Sequence, residues 1–287
     1  MTEHVVPGGV PEAKLEKYLR RAWPLVPGRV WRDALKERDV RINGVKCGSD
    51  AVVRGGDTLA LYIDAKWLEP EPDILFSDDR LIAAVKPQGL PVDVDRDGVG
   101  ADTLLTRLQR RWPGARLCHQ LDAATGGIVL AAADEAVWRQ AFEAFRDHSG
   151  LEKRYRALAF GRFDRPEGTL RAWLVKDAGR GEVKVLRRDA PGAKPIVTRY
   201  RAGDERAPGL FDVELEPVTG RTHQLRAHMA DFGHPLLGDD RYGDRAANRR
   251  FPGAKLCLWH WRLAVTPDSP LADYRGVTFE APAPKWI

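Results

Sequence analysis

Asp122 is the residue whose surroundings best suit chemistry. It is the single carboxylate in the stretch LCHQLDAATGGIVL at positions 117–130. A short apolar entry leads into a polar turn, and Ile128-Val129-Leu130-Ala131 reads as an exit strand. Gly126 and Gly127 follow Thr125 and mark a sharp reversal where backbone can pass close to a ligand. A carboxylate braced between two strands is well placed to act as a nucleophile or to stabilise developing charge. An aspartate before Thr and Gly is also a common turn residue that bonds its own backbone. Asp122 therefore needs partners elsewhere in the chain to be read as reactive.

Two later blocks supply candidates. One is Lys153-x-Tyr155, a basic and aromatic entry to a strand-like run from Glu152 to Gly161. The other is RTHQLRAHMADF, Arg221 to Phe232, expected as a helix with Leu225, Met229 and Phe232 as its core stripe. Arg226 falls at the margin of that stripe, where a guanidinium can reach a buried carboxylate. His223, His228 and His234 invite a metal reading. On a helix His223 and His228 would point roughly 140° apart, so no metal is expected.

The elements that must position these residues can be read in order. The chain has 287 residues, enough for more than one domain, with 43% hydrophobic and 30% charged residues as in soluble globular proteins. No apolar run approaches a membrane span, and the N-terminus lacks the basic start and apolar core of a secretory signal, so cytoplasmic residence is the default expectation. Cys47, Cys118 and Cys257 form neither a disulfide framework nor a zinc pattern and read as small buried packing residues. A net charge of +5 tilts the reading toward a polyanionic partner.

Leu15, Tyr18, Leu19 and Ala22 make one apolar helical face, and Trp31, Ala34 and Leu35 make another on a helix from Gly28 to Arg38. Arg29, Arg32 and Lys36 line a basic side of the second helix, a pattern suited to phosphate contact. The run from Val40 to Lys46 contains Asn43-Gly44, a hairpin signal, and residues 52–59 add a turn and another strand. Residues 64–72 are rich in charge and proline and read as a linker. Beyond them, strands are expected at 74–76 and 81–85, then a Lys86-Pro87-x-Gly89 turn and a helix from Thr103 to Trp112 with Leu104, Leu105 and Leu108 inward. Asp134 is the expected N-cap of a helix over 135–148 whose stripe is Trp138, Phe142 and Phe145. From 150 to 217 strands dominate. The fold class is therefore α+β, with a large mainly antiparallel sheet flanked by helices and a small α+β domain in front.

Residues 10–63, with two helices, an Asn-Gly hairpin and a Gly-Asp turn, resemble the alpha-L RNA-binding domain. His119-Gln120-Leu121-Asp122-x-x-Thr125, Lys153-x-Tyr155, Arg221-Thr222-His223-Gln224-Leu225-Arg226 and the later Gly233-to-Asp239 block then occur in order. Together they look like the RluA-type family of RNA pseudouridine synthases. The resemblance implies three segments: an RNA-binding domain at 10–63, a linker at 64–72 and a catalytic domain at 73–287. It implies isomerisation of uridine within structured RNA, without metal or cofactor. Asp122 takes the place of the catalytic aspartate, Arg226 that of the arginine paired with it, and Tyr155 that of the aromatic that stacks on the flipped uracil. His119, Gln120, Thr125, Lys153, Arg221, His223 and Gln224 fall among expected RNA or substrate contacts, with Arg29, Arg32 and Lys36 in the front domain. By analogy with the alpha-L domain, ribosomal RNA is the expected target ahead of transfer RNA. A monomer is the default.

The chain departs from the family pattern at Gln120, where an arginine is usual, at Ala124 and Gly126 in the same turn, and at Trp259-His260. Glutamine can hydrogen-bond but brings no charge. The alternative left open is an RNA-binding protein of the same fold with little or no turnover.

Overall fold

The computed structural model describes residues 1–95, 97–177, 181–284 and 286. Two compact units emerge, one built from Met1–Asp73 with Lys86–Arg116, the other from Ile74–Val85 with Leu117–Ile287. The chain segment 86–116 thus packs with the N-terminal residues rather than with those that follow it.

In the first unit the helix Leu15–Ala22 buries Leu15, Tyr18, Leu19 and Ala22, and the helix Gly28–Glu37 buries Trp31, Ala34 and Leu35. These are the faces the apolar spacing predicts. A four-stranded sheet runs in the order Thr2–Val5, Thr58–Leu61, Val40–Ile42, Val45–Lys46. Asn43 and Gly44 both take positive φ, 50° and 84°, as the hairpin turn requires. The Asn43 side chain also accepts from the Thr58 amide at 2.9 Å and donates to Asp57 at 2.8 Å, which ties the turn to the adjacent strand. Within the segment expected as a linker, Asp64 caps a short helix, Ala65–Leu68, that buries Leu68. Thr103 starts the helix Leu104–Arg111 with a capping box. Just before it, Asp102 holds Arg107 through two hydrogen bonds of 2.6 and 2.8 Å, both side chains buried.

The second unit is organised on one large mixed sheet. Nine strands follow in the order Glu182–Leu186, Glu167–Asp177, Lys194–Ala207, Leu210–Pro217, Leu151–Phe160, Leu258–Val265, Gly126–Ala132, Leu81–Lys86 and Asp73–Ser77. Most neighbours are antiparallel, but Gly126–Ala132 runs parallel to Leu258–Val265. Toward one end of this order, Leu81–Lys86 and Gly126–Ala132 are buried at every position, as strands covered on both faces must be. Along Leu151–Phe160 the two-residue alternation sends Lys153 and Tyr155 to one face and Arg154 to the other. That other face carries a row of ion pairs: Arg154–Glu214 at 2.8 Å, Arg199–Glu216 at 3.0 Å, Arg201–Glu167 at 3.6 Å, and Arg206 with Asp212.

Several expectations change. The helix over 135–148 is Glu135–Asp147, and it buries Val137, Ala141 and Ala144, whereas Trp138 and Phe145 are only partly covered and Phe142 is 42% exposed. Small residues let the helix lie close on the sheet, so the large aromatics flank the contact instead of forming it. Leu105 is only half-buried in its helix, and Arg107 takes an inward place. Cys47 is half-buried, unlike Cys118 and Cys257. Among the described residues no helix is long and apolar enough to cross a membrane.

Gly127 is where sequence and architecture meet most tightly. Its φ is +110°, and a β-carbon there would lie 2.2 Å from the carbonyl oxygen of His260 on the parallel neighbour. Only hydrogen fits between these two backbones. Gly127→Ala is accordingly expected to lower the stability of this unit by at least about 3 kcal/mol in urea unfolding. Gly209→Ala, at a positive φ with open space around it, should lose only the backbone strain of about 1–2 kcal/mol. Equal losses would contradict the close-approach argument.

Candidate active site

A cleft of about 460 Å³ opens in the second unit beside the turn that carries Asp122. His119, Gln120, Asp122 and Thr125 line it from that turn, Lys153 and Tyr155 from the strand Leu151–Phe160. Arg221, His223, Gln224 and Arg226 line it from the far side. All ten residues expected there from the sequence are thus brought together. Arg29, Arg32 and Lys36 lie in the other unit, exposed on the helix Gly28–Glu37. Among the described residues none of the three makes an ion pair, whereas Arg20 is paired with Glu16 and Arg21 with Asp95 and Asp97.

Asp122 stands at the cleft with its side chain 24% exposed. Arg226 Nη1 donates to its Oδ2 at 3.3 Å. Arg226 is itself held by Asp239, through Nε to Oδ2 and Nη2 to Oδ1, both 2.8 Å. The geometry is a bidentate fork. Asp239 also accepts from the backbone N–H groups of Arg241 and Tyr242 at 2.9 and 3.0 Å. Both partners are almost fully buried. Burial works against the charge on Arg226, but the hydrogen bonds and charge of Asp239, with a contribution from Asp122, outweigh it and raise its pKa. Burial likewise opposes ionisation of Asp239, and the Arg226 fork and the Tyr242 N–H outweigh it, so its pKa is lowered. Arg226 therefore presents a fixed positive charge to Asp122.

The helix carrying Arg226 is Gln224–Asp231, shorter than the expected 221–232. His223 sits ahead of it in the left-handed region, φ 54°. This turns its ring toward Asp122, with Nε2 3.6 Å from Oδ1. The placement of His223 and His228 on one helix, used to dismiss a shared metal, does not hold, although among the described residues no cluster suited to a metal is present. His228 is buried, with Nδ1 3.0 Å from Thr198 Oγ1. Phe232 is 38% exposed and only edges the core.

The Tyr155 ring rests on His260, centroids 4.5 Å apart and nearly parallel at 11°. His260 Nδ1 is 2.7 Å from the Ile128 carbonyl, so the supporting ring is tied to the strand that leaves the Asp122 turn. His119 stacks on Phe145 at 4.0 Å and accepts from the Leu130 amide through Nε2. The Gln224 amide accepts from Thr219 Oγ1 and the Arg221 N–H and donates to Val197 O and Thr198 Oγ1. Its hydrogen-bonding capacity is filled by the protein, and its work is to hold the turn ahead of Arg226. Burial lowers the Lys153 pKa to about 8, against the attraction of Glu216. His148 accepts from the Gly220 amide at 3.2 Å and pins the same turn. Sequence reasoning did not assign a role to Asp239, Tyr242, His148 or His260. For Asp239 a signal existed, a carboxylate closing the Gly233-to-Asp239 block with no partner named for it.

A family model described as RNA pseudouridylate synthase matches residues 80–231. The dual-specificity RNA pseudouridine synthase RluA of Escherichia coli K12 is 35% identical over 216 residues, covering 75% of this chain and 94% of that one. The ribosomal large subunit pseudouridine synthase C of Rickettsia conorii is 30% identical over 255 residues, covering 81% and 83%. Among solved structures, human RNA pseudouridylate synthase domain containing 1 superposes with a TM-score of 0.61 at 26% identity, over 76% of this chain and 85% of that one.

Of the three carboxylates around Arg226, with Asp240 the exposed third at 3.4 Å, Asp239 and Asp122 should separate in unfolding experiments. Asp239→Asn breaks a buried charged fork and is expected to lower stability by about 3–5 kcal/mol. Asp122→Asn, at a partly exposed carboxylate with only long contacts to Arg226 and His223, should stay within about 1 kcal/mol of the parent. The Asp239 contribution is present above the unfolded carboxylate pKa of about 4 and is lost as pH falls through its lowered folded value. Acid unfolding of Asp239→Asn should therefore start from a lower stability and lose less on acidification. Similar losses for the two variants would show that Arg226 is not anchored in this way.

Proposed function

Because the chain belongs to the RNA pseudouridylate synthase family, we propose that it isomerises uridine in ribosomal RNA with Asp122 as its catalytic carboxylate. The activity class is an isomerase acting on RNA uridine. In this reaction the bond from ribose C1′ to uracil N1 breaks, the base turns, a bond from C1′ to C5 forms, and the proton lost from C5 is balanced by one gained at N1. The observation that carries the residue assignment is that Asp122, Arg226 and Tyr155, scattered over a hundred positions, line one cleft.

Each role follows from a property already described. Asp122 offers a carboxylate to the ribose, as nucleophile or as the group that stabilises charge there and assists elimination. Arg226 holds it ready with a charge fixed by Asp239. Tyr155, backed by His260, supplies a rigid ring for the flipped uracil. Stacking on such a ring contributes roughly 1–3 kcal/mol, comparable to the few kcal/mol needed to unstack a nucleotide. Lys153, Arg221 and Gln120 are left to contact the RNA around the base. The preference for ribosomal RNA is supported by the name of one relative and by the resemblance of residues 10–63 to an alpha-L domain; cytoplasmic action as a monomer completes the reading. The exposed row of Arg29, Arg32 and Lys36, without ion-pair partners among the described residues, supports a phosphate-contacting role for that segment.

Two outcomes are expected. Pseudouridine mapping of cellular RNA incubated with the protein should show sites that vanish with Asp122→Asn while RNA binding persists; identical maps for parent and variant would remove Asp122 from the chemistry. Replacing Arg29, Arg32 and Lys36 together by glutamine should lower the slope of log affinity against log salt by about 2 to 3. An unchanged slope would take this helix out of the RNA interface.

A further inference from the structure

The two oxygens of Asp122 face different groups. Oδ2 meets Arg226, and Oδ1 meets His223 Nε2 at 3.6 Å. Arg226 can only donate, but a neutral histidine presents either a proton or a lone pair on that nitrogen. The answer lies on the other side of the ring. His223 Nδ1 is 2.8 Å from the Tyr242 hydroxyl oxygen, and that oxygen accepts from the backbone N–H of Val183 at 3.0 Å. A phenol that accepts from an amide keeps one proton to give, and among the described residues His223 Nδ1 is the acceptor in place for it. Nδ1 is then the acceptor and the imidazole proton sits on Nε2. The opposite tautomer would set a nitrogen lone pair against the Asp122 carboxylate, two electron-rich centres facing each other.

We propose that Tyr242 locks His223 as the Nε2–H tautomer, so that His223 acts as a positioning residue directing a proton at Oδ1 of Asp122. This rests on the reading of Asp122 as the catalytic carboxylate. Burial lowers the His223 pKa below its ordinary value, against the pull of Asp122, which leaves the ring neutral near pH 7.5 with one proton to place. The present separation is longer than a hydrogen bond, and a shift of about half an ångström brings it within range. Rotation of the carboxylate is then limited from both sides, by Arg226 at one oxygen and His223 at the other. A single loop governs both contacts. Asp239 forks Arg226, and Tyr242, whose own N–H donates to Asp239, sets the proton of His223. The left-handed backbone of His223 is the strain that this arrangement sustains.

The test begins with the protein alone. Nitrogen-15 imidazole NMR of the full chain at pH 7.5, with the His223 signal assigned by its disappearance in His223→Gln, should show a neutral ring protonated on Nε2. In Tyr242→Phe the same signal should move toward a mixture of tautomers. With RNA, single-turnover rates in Tyr242→Phe should fall about tenfold while the RNA dissociation constant stays within about twofold, the loss expected for one hydrogen bond to a charged group. His223→Gln, which can place an amide N–H near the lost Nε2, should keep more of the rate than His223→Ala. A ring protonated on Nδ1 or doubly protonated in the parent would overturn the proposal, as would a Tyr242→Phe protein with both tautomer and rate unchanged. Should Asp122→Asn retain pseudouridine formation, the catalytic reading of Asp122 falls instead, while the tautomer is still reported by NMR without RNA.

Discussion

The site depends on the buried fork between Arg226 and Asp239. Neither charge could remain in the interior by itself, because desolvating an unpaired ion costs several kcal/mol. Together they satisfy each other, and two backbone N–H groups complete the carboxylate. What remains of the guanidinium, Nη1, points at Asp122. A structural pair thus doubles as the support of the carboxylate proposed to be catalytic, and Arg226 cannot swing away without abandoning Asp239.

The sheet supplies the other half of the positioning. Asp122 arrives on the turn ahead of the strand Gly126–Ala132 and Tyr155 on the strand Leu151–Phe160, and His260 on a third strand links them, stacked on Tyr155 and bonded to the Ile128 carbonyl of the strand that leaves the turn. That linkage requires the strand leaving the Asp122 turn to run parallel to the His260 strand and very close to it. Gly127 makes this possible by having no β-carbon. The rigidity of the aromatic platform and the sharpness of the turn are therefore one constraint seen from two ends.

Much of this was legible in the residues. Leu15, Tyr18, Leu19 and Ala22 announce a helix because burial follows a period of 3.6, and Asn43-Gly44 announces a hairpin because few residues accept two positive φ angles in succession. Asp122, Tyr155 and Arg226 could be named because each sits in a recognisable local block. Other features are not local. The strand Thr2–Val5 is defined only by its pairing with Thr58–Leu61, and the charge-rich segment after residue 63 hides a capped turn of helix around Leu68. Periodicity placed Trp138, Phe142 and Phe145 inward because they are large; packing preferred Val137, Ala141 and Ala144 because they are small. The partners of the histidines could not be read at all. His223 meets Tyr242 and His260 meets Ile128 across long stretches of chain, and the start of the helix at Gln224 turns on one backbone angle that no side chain announces.

The ion pairs on the sheet face opposite Tyr155 have a consequence for traffic. Arg154, Arg199, Arg201 and Arg206 each sit against a glutamate or aspartate, so their fields largely cancel within a few ångströms. A long polyanion drifting past that face meets a mosaic with almost no net pull and does not linger. The excess positive charge of the chain is then free to act elsewhere, as at the row of Arg29, Arg32 and Lys36, which among the described residues has no such neutralising partners. Pairing arginines on one surface shortens the time a nucleic acid spends in unproductive encounters, and a salt-bridge ladder that adds little to stability can still shape the rate of capture.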